Sequence, residues 1–274
     1  MKDTHATAAP AALGSPVALG RTAEIYPWGD GRILKLFRDW CPRSWADYEE
    51  RIAHIVQDAG LPVPAVGEIV EINGRRGIVY ERVDGPSLLQ TVVRRIWTLR
   101  SAARLLADLQ AAMHAQSVPE LPSYSDGLAR SIRSAAVLPD DLKQAALDRL
   151  ASLGDGVALC HGDFHMENVI MTARGPVIID WMTARRGHPL ADVARSLLLA
   201  TVGAPANGAP PRWLLDIIRA EYRRSYLKRY FQLTHAERAE LSAWQPVLAA
   251  ARLNENIPGE QEWLLASVKG AFQT

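Results

Sequence analysis

Three side chains at fixed spacing are the residues best equipped for chemistry in this sequence. Asp163 lies in His161-Gly162-Asp163-Phe164-His165-Met166-Glu167-Asn168, and Asp180 closes Val177-Ile178-Ile179-Asp180-Trp181 a short turn later. An Asp that can accept a hydroxyl proton, followed by an Asn and a second carboxylate as oxygen ligands for Mg²⁺, is the set that phosphoryl transfer requires.

Such side chains must be held by elements on either side. Val157-Ala158-Leu159-Cys160, Asn168-Val169-Ile170-Met171 and Val177-Ile178-Ile179 are apolar runs of strand length, with Thr172-Ala173-Arg174-Gly175-Pro176 as the turn between the last two. This pattern places Asp163 and Asn168 on a loop between two strands and Asp180 at the end of a third. A lone His-Gly-Asp would read as an ordinary hairpin turn, whereas the full run in register does not.

The spacing matches the His-Arg-Asp, four residues, Asn loop of protein kinases, with Gly162 where the Arg would be. His-Gly-Asp-Phe-His with its following Asn, and Ile-Asp-Trp in place of Asp-Phe-Gly, resembles the aminoglycoside phosphotransferase and choline kinase-like family of small-molecule kinases. The resemblance runs from Leu19 to about Leu199. It implies an α+β, bilobal protein-kinase-like fold: a small β-rich N-lobe with one helix over 17–83 and a larger, mainly helical C-lobe over 84–274; the Ala-, Thr- and Pro-rich stretch over 1–16 reads as a flexible tail. It also implies transfer of the γ-phosphoryl of ATP or GTP to a hydroxyl of an aminoglycoside-like or other small acceptor, with Asp163 as base and Asn168 and Asp180 on Mg²⁺. A housekeeping kinase for choline, an amino alcohol or a sugar fits the same residues. A nucleotide-sensing binding protein without turnover is the reading from another class, and retention of the base argues against it.

Arg32-Ile33-Leu34-Lys35-Leu36-Phe37 is a strand interrupted by one Lys, which there needs an exposed edge or an anionic partner. The resemblance assigns Lys35 to the nucleotide phosphates, oriented by a Glu from the next helix. That helix is expected over 45–59, stopped by Gly60 and Leu61-Pro62-Val63-Pro64. Counting back from this ending selects Glu50 as the partner, in preference to Glu49. Leu19 to Ile25 is expected to turn over the phosphates, with backbone N–H groups and the Thr22 hydroxyl as donors. No G-x-x-x-x-G-K-[ST] is present, which disfavours the P-loop class. Glu81 and Val83, before the Asp84-Gly85 break, are assigned by resemblance to hold the base through their backbone.

Beyond residue 84, apolar spacing predicts a helix over 96–116 ending near His114, to which no role is assigned, then a loop and a second helix over 140–153. Asp180 is followed within a few residues by Pro189-Leu190-Ala191-Asp192, so a protein-kinase activation segment has no room. Asp192 is expected to brace the catalytic loop or to complement its own helix terminus. His161 and His165 are read as supporting residues; the His165 imidazole could donate to the transferred phosphoryl or stack in the loop. The chain from Arg212 reads as helical, and Thr234-His235-Ala236-Glu237 as a capping box opening another helix. Glu255, Glu260 and Glu262 near Trp263 would suit a polycationic acceptor, and equally solvent.

Composition sets outer bounds. At 274 residues and 48% hydrophobic content the chain can bury a substantial core, and a net charge of +1 offers no bulk attraction to nucleic acid or anionic membrane. Cys41 and Cys160 have no metal-ligand spacing and suit a reducing, cytoplasmic setting. The resemblance implies a nucleotide and a small acceptor as partners.

Overall fold

The structure, a computed structural model, describes residues 13–29, 31–202 and 210–273. In chain order its elements are β1 (Ala18–Leu19), β2 (Ala23–Pro27), β3 (Arg32–Phe37), α1 (Ser44–Asp58), β4 (Val66–Ile72), β5 (Arg75–Glu81), α2 (Leu88–Arg94), α3 (Leu99–His114), α4 (Tyr124–Ser134), α5 (Asp140–Leu153), β6 (Ala158–Cys160), β7 (Val169–Thr172), β8 (Gly175–Ile178), β9 (Arg185–Gly187), α6 (Pro189–Val202), α7 (Arg212–Thr234), α8 (Arg238–Arg252) and α9 (Gln261–Phe272). They divide into two compact units, Met1–Leu88 with Asn168–Met182, and Leu89–Glu167 with Thr183–Thr274. The second stretch is thus not the continuous 84–274 expected from the sequence. Backbone bonds explain the exchange: Met171 N donates to Pro86 O at 2.8 Å and Ile178 N to Pro62 O at 2.7 Å, fastening the β7–β8 hairpin to the first unit. Most of the expected tail over 1–16 lies outside the described residues.

The first unit is an antiparallel sheet in the order β1-β2-β3-β5-β4 with α1 on one face. Alternation along β3 decides which side chain goes where. Leu34 and Leu36 point into a cluster with Tyr26, Val70, Ile72 and Val79, while Phe37 packs on the other face with Ala46 of α1, Ala23 and Ile78. Lys35 shares the parity of Phe37, so the same alternation that buries Leu34 and Leu36 delivers its ammonium to the α1 face. There it stands opposite Ile25 and Ile78.

The second unit is mainly helical. α3 and α7 lie side by side, joined at their surfaces by Arg100–Glu221 at 2.7 Å and Arg229–Asp108 at 2.5 Å. The fully buried Trp244 of α8 stacks on His188, with ring centroids 5.3 Å apart. The short pair β6–β9 carries Cys160 at the entrance of the loop that holds Asp163. Two expectations are corrected here. The segment before α5 contains a helix, α4, opened by Ser123 Oγ accepting from Asp126 N at 3.0 Å. Thr234 to Glu237 forms no capping box: His235 closes α7 with a left-handed φ of 57° and its N–H returns to Phe231 O, and Glu237 stands at the N-cap of α8 without a side-chain bond. Among the described residues no helix is long and apolar enough to cross a membrane.

Candidate active site

The first unit assembles one half of the expected constellation. Lys35 Nζ lies 2.8 Å from Glu49 Oε1 and 3.4 Å from Asp180 Oδ1. Glu49 also accepts from the Tyr80 hydroxyl at 3.2 Å and is buried. Burial opposes the charged form of Lys35, but the two carboxylates outweigh it and hold its pKa above the ordinary lysine range. The expected partner, Glu50, is one residue out of phase. Ala46, Glu49, Ile52, Ala53 and Val56 form the buried stripe of α1, and a shift of one residue turns a side chain about 100° around a helix, away from Lys35.

Asp180 and Asn168 are brought near each other by the β7–β8 hairpin, whose closing bond runs from Ile179 N to Asn168 O at 3.0 Å. Asn168 is buried, while the Asp180 carboxylate is half-exposed. Asp180 has φ of 63°, a left-handed backbone that few non-glycine residues adopt and that directs its carboxylate toward Lys35. An amide oxygen and a carboxylate beside an ammonium make a hard, oxygen-donor set, the chemistry that Mg²⁺ with nucleotide phosphates selects.

The other nucleotide-facing expectations meet mixed geometry. Gly20 to Thr22 does form the β1–β2 turn, closed by Gly20 N donating to Ala23 O at 2.9 Å. The Thr22 carbonyl anchors Arg38 N and the Cys41 thiol. The Glu81 N–H is committed to Ala65 O at 2.8 Å, so that residue can meet a base only through its carbonyl; its side chain pairs with Arg174. Val83 is half-buried just past β5.

The second unit holds Asp163 on a rigidly built loop. Gly162 takes φ of 78°, and a Cβ there would stand 2.8 Å from Thr183 O, so a residue with a side chain does not fit. The Gly162 N–H donates to Asp192 Oδ1 at 2.7 Å and the His161 N–H to Oδ2 at 3.2 Å. Thr183 Oγ1 donates to His161 O, and Arg195 Nε to Gly162 O. Asp163 N donates to His161 Nδ1 at 3.3 Å. His165 is fixed similarly: Nδ1 accepts from Glu167 N, which turns the Nε2 side of the ring toward Asp163 Oδ2 at 3.6 Å, too long for a direct hydrogen bond. Burial works against ionisation of Asp163, and His165, Arg195 and His161 together overcome it, leaving its pKa below the ordinary Asp value.

Sequence reasoning assigned no role to the residues that surround Asp192 behind this loop. Asp192 is fully buried and accepts from Gln110 Nε2 at 2.9 Å and His114 Nε2 at 3.1 Å besides the two backbone groups. A carboxylate only accepts, so His114 carries a proton on Nε2, and its Nδ1 is hydrogen-bonded to the Tyr230 hydroxyl at 2.7 Å. Tyr226 donates to Gln110 Oε1, and Gln110 reaches Ser196 as well. Three helices thus each supply a pair four residues apart: Gln110 and His114, Asp192 and Ser196, Tyr226 and Tyr230. Burial would raise the Asp192 pKa, yet His114, Gln110 and the Gly162 N–H hold it below the ordinary range. The polar residues at i, i+4 on otherwise apolar stripes were the available signal. His114, Cys160 and Asp192 lie close enough to offer three ligands to a cation, but Asp192 Oδ2 already accepts from three donors.

The acidic cluster is largely spoken for. Glu255 pairs with Arg195 at 2.7 Å and also with Arg252, whose guanidinium binds Glu260 through two bonds of 2.8 and 3.0 Å. Glu262 and Trp263 are exposed.

A five-stranded antiparallel sheet whose buried Lys–Glu pair meets a hairpin carboxylate, together with a helical unit presenting a braced Asp loop, defines a kinase-like phosphoryl-transfer protein. The model described as phosphotransferase enzyme family, APH, matches residues 21–244, and the chain belongs to that family: it is a phosphotransferase. Among solved structures it is similar to a thermostable mutant of aminoglycoside phosphotransferase APH(4)-Ia in its apo form, with 18% identity, 94% of this chain and 92% of that chain covered, and a TM-score of 0.64. It is also similar to ADP-bound aminoglycoside phosphotransferase APH(2'')-Ib, at 14% identity over 96% and 93% of the two chains with a TM-score of 0.61. Amicoumacin kinase hAmiN, in complex with AMP-PNP, Ca²⁺ and Ami, gives 13% identity over 94% and 87% with a TM-score of 0.62. A search of the curated proteins finds no match.

Proposed function

We propose that the protein moves the γ-phosphoryl of ATP or GTP to a hydroxyl of a small, aminoglycoside-like or metabolite acceptor in the cytoplasm. The observation that carries this reading is the Lys35–Glu49–Asp180 group, which combines a fixed ammonium with an oxygen ligand. Lys35 grips the nucleotide phosphates, and Glu49 keeps its ammonium extended and charged. Asn168 and Asp180 hold Mg²⁺, which when bound neutralises charge on the phosphates. Asp163, five positions before Asn168 on the same loop, orients the acceptor hydroxyl and takes its proton as the oxygen attacks phosphorus. Positioning and charge neutralisation supply most of the rate, because a loose transition state asks little covalent work of the protein.

Complexes of related folds are consistent with this pairing of ligands: a thermostable mutant of APH(4)-Ia holds AMP-PNP with hygromycin B, and APH(2")-IIa holds ATP with streptomycin. The neutralisation of Glu255 and Glu260 by Arg195 and Arg252 keeps a metabolite with less positive charge beside the aminoglycoside reading. Release of ADP and GDP in the presence of Mg²⁺, measured across aminoglycosides, macrolides, choline, amino alcohols and sugars, identifies the acceptor class. Silence across the panel with nucleotide still bound would leave an acceptor outside the panel or the sensing scaffold.

A further inference from the structure

The first unit carries a second concentration of guanidinium groups outside the set around Lys35. Where β3 ends, α1 begins and β4 turns into β5, a cavity of about 220 Å³ is lined by Arg38, Arg43, Arg75 and Arg76, with Asp39 and Phe37 among the remaining walls. Four arginines on one small cavity call for anions, and the protein's own carboxylates meet that need unevenly.

Three of the arginine side chains are mostly buried: Arg38 is 33% exposed, Arg75 21% and Arg76 14%. Only Glu24, at 17%, is a carboxylate of matching burial, and it is shared between Arg38 and Arg75. The other partners are far more exposed: Asp39 at 84% on Arg75, Asp47 at 53% on Arg76, and Glu71 at 48% on Arg43. Exposed pairs are weakened by solvent and salt, so Asp39 and Asp47 neutralise the mostly buried Arg75 and Arg76 weakly and can swing away at small cost.

We propose that this cavity is a binding site for a small phosphate-bearing anion, separate from the nucleotide site. Guanidinium forks match the several oxygens of a phosphate, and the volume admits a diphosphate or a phosphate on a small organic body. The bound anion replaces the exposed carboxylates of Asp39 and Asp47 on Arg75 and Arg76. The site does not depend on the phosphotransferase reading, since none of its residues is among those assigned to the reaction.

The test is calorimetric titration of inorganic pyrophosphate, without metal, into the full chain and into Lys35→Met, Arg76→Gln and Arg43→Gln. Lys35→Met removes the phosphate grip of the nucleotide site and leaves the cavity intact. The expected result is one site retained in Lys35→Met, weakened at least ~10-fold in Arg76→Gln by loss of a charge-assisted bond, and weakened in Arg43→Gln, an exposed position whose change leaves the fold intact. Pyrophosphate should also raise Tm in Lys35→Met, since a ligand bound only by the folded state stabilises it. Binding that disappears in Lys35→Met and persists in both arginine variants would overturn the proposal, as would the absence of binding to the wild-type chain. Failure of phosphoryl transfer itself leaves these titrations unchanged.

Discussion

Glu49 is the partner of Lys35, at 2.8 Å, and its neighbour Glu50 is not. The distinction follows from helix phase: Glu49 belongs to the buried stripe of α1, on the face that packs against β3. Glu49→Gln should lower kcat/KM for the nucleotide about 10- to 100-fold, the span of a lost charged hydrogen bond. Glu50→Gln should stay within about twofold, as surface changes do. Nucleotide-dependence curves for the two variants decide between them, and equal losses would contradict the assignment.

Asp163 is held ionised by His165, Arg195 and His161 against its burial. A base with a depressed pKa stays competent as pH falls, so the Asp163 limb of a pH profile of kcat/KM should lie below about 3.9, the ordinary Asp value. A limb near neutrality that vanished in Asp163→Asn would show a raised pKa instead.

Asp192 links pH to stability. Its folded pKa is depressed, so its stabilising contribution is complete above the unfolded value of about 3.9 and is lost as pH falls through the folded value. Urea unfolding midpoints between about pH 6 and pH 3 should fall more steeply in the wild type than in Asp192→Asn, which has no such proton to bind. Parallel curves would remove Asp192 from the account.

The outer part of the same network can be tested apart from the loop. Tyr230→Phe leaves His114 Nδ1 buried without its hydroxyl partner, at a cost of about 1–3 kcal/mol. Denaturant midpoints measure that cost, and a change within error would show that the ring has another partner.

Much of this site was legible in the sequence because its spacing is local. Asp163, Asn168 and Asp180 fall within one loop and one hairpin, and a single Lys in the apolar strand Arg32–Phe37 already called for an exposed edge or an anionic partner. Gly162 was visible as a departure from Arg, although its reason, the left-handed backbone against Thr183 O, is tertiary. The brace was legible only as polar residues at i, i+4 in separate helices: Gln110 and Tyr226 stand 116 residues apart, as do His114 and Tyr230, and no local pattern pairs them. The same holds for Glu255 and Glu260, whose acidic pattern concealed their arginine partners.

The most direct test of phosphoryl transfer through Asp163 is ³¹P detection of a phosphorylated acceptor, with wild type and Asp163→Ala compared at equal nucleotide saturation. The wild type should form a phosphate monoester, and the variant should form it about 10²- to 10⁴-fold more slowly with nucleotide affinity intact. Product formation at the wild-type rate in Asp163→Ala would contradict the assignment of the base.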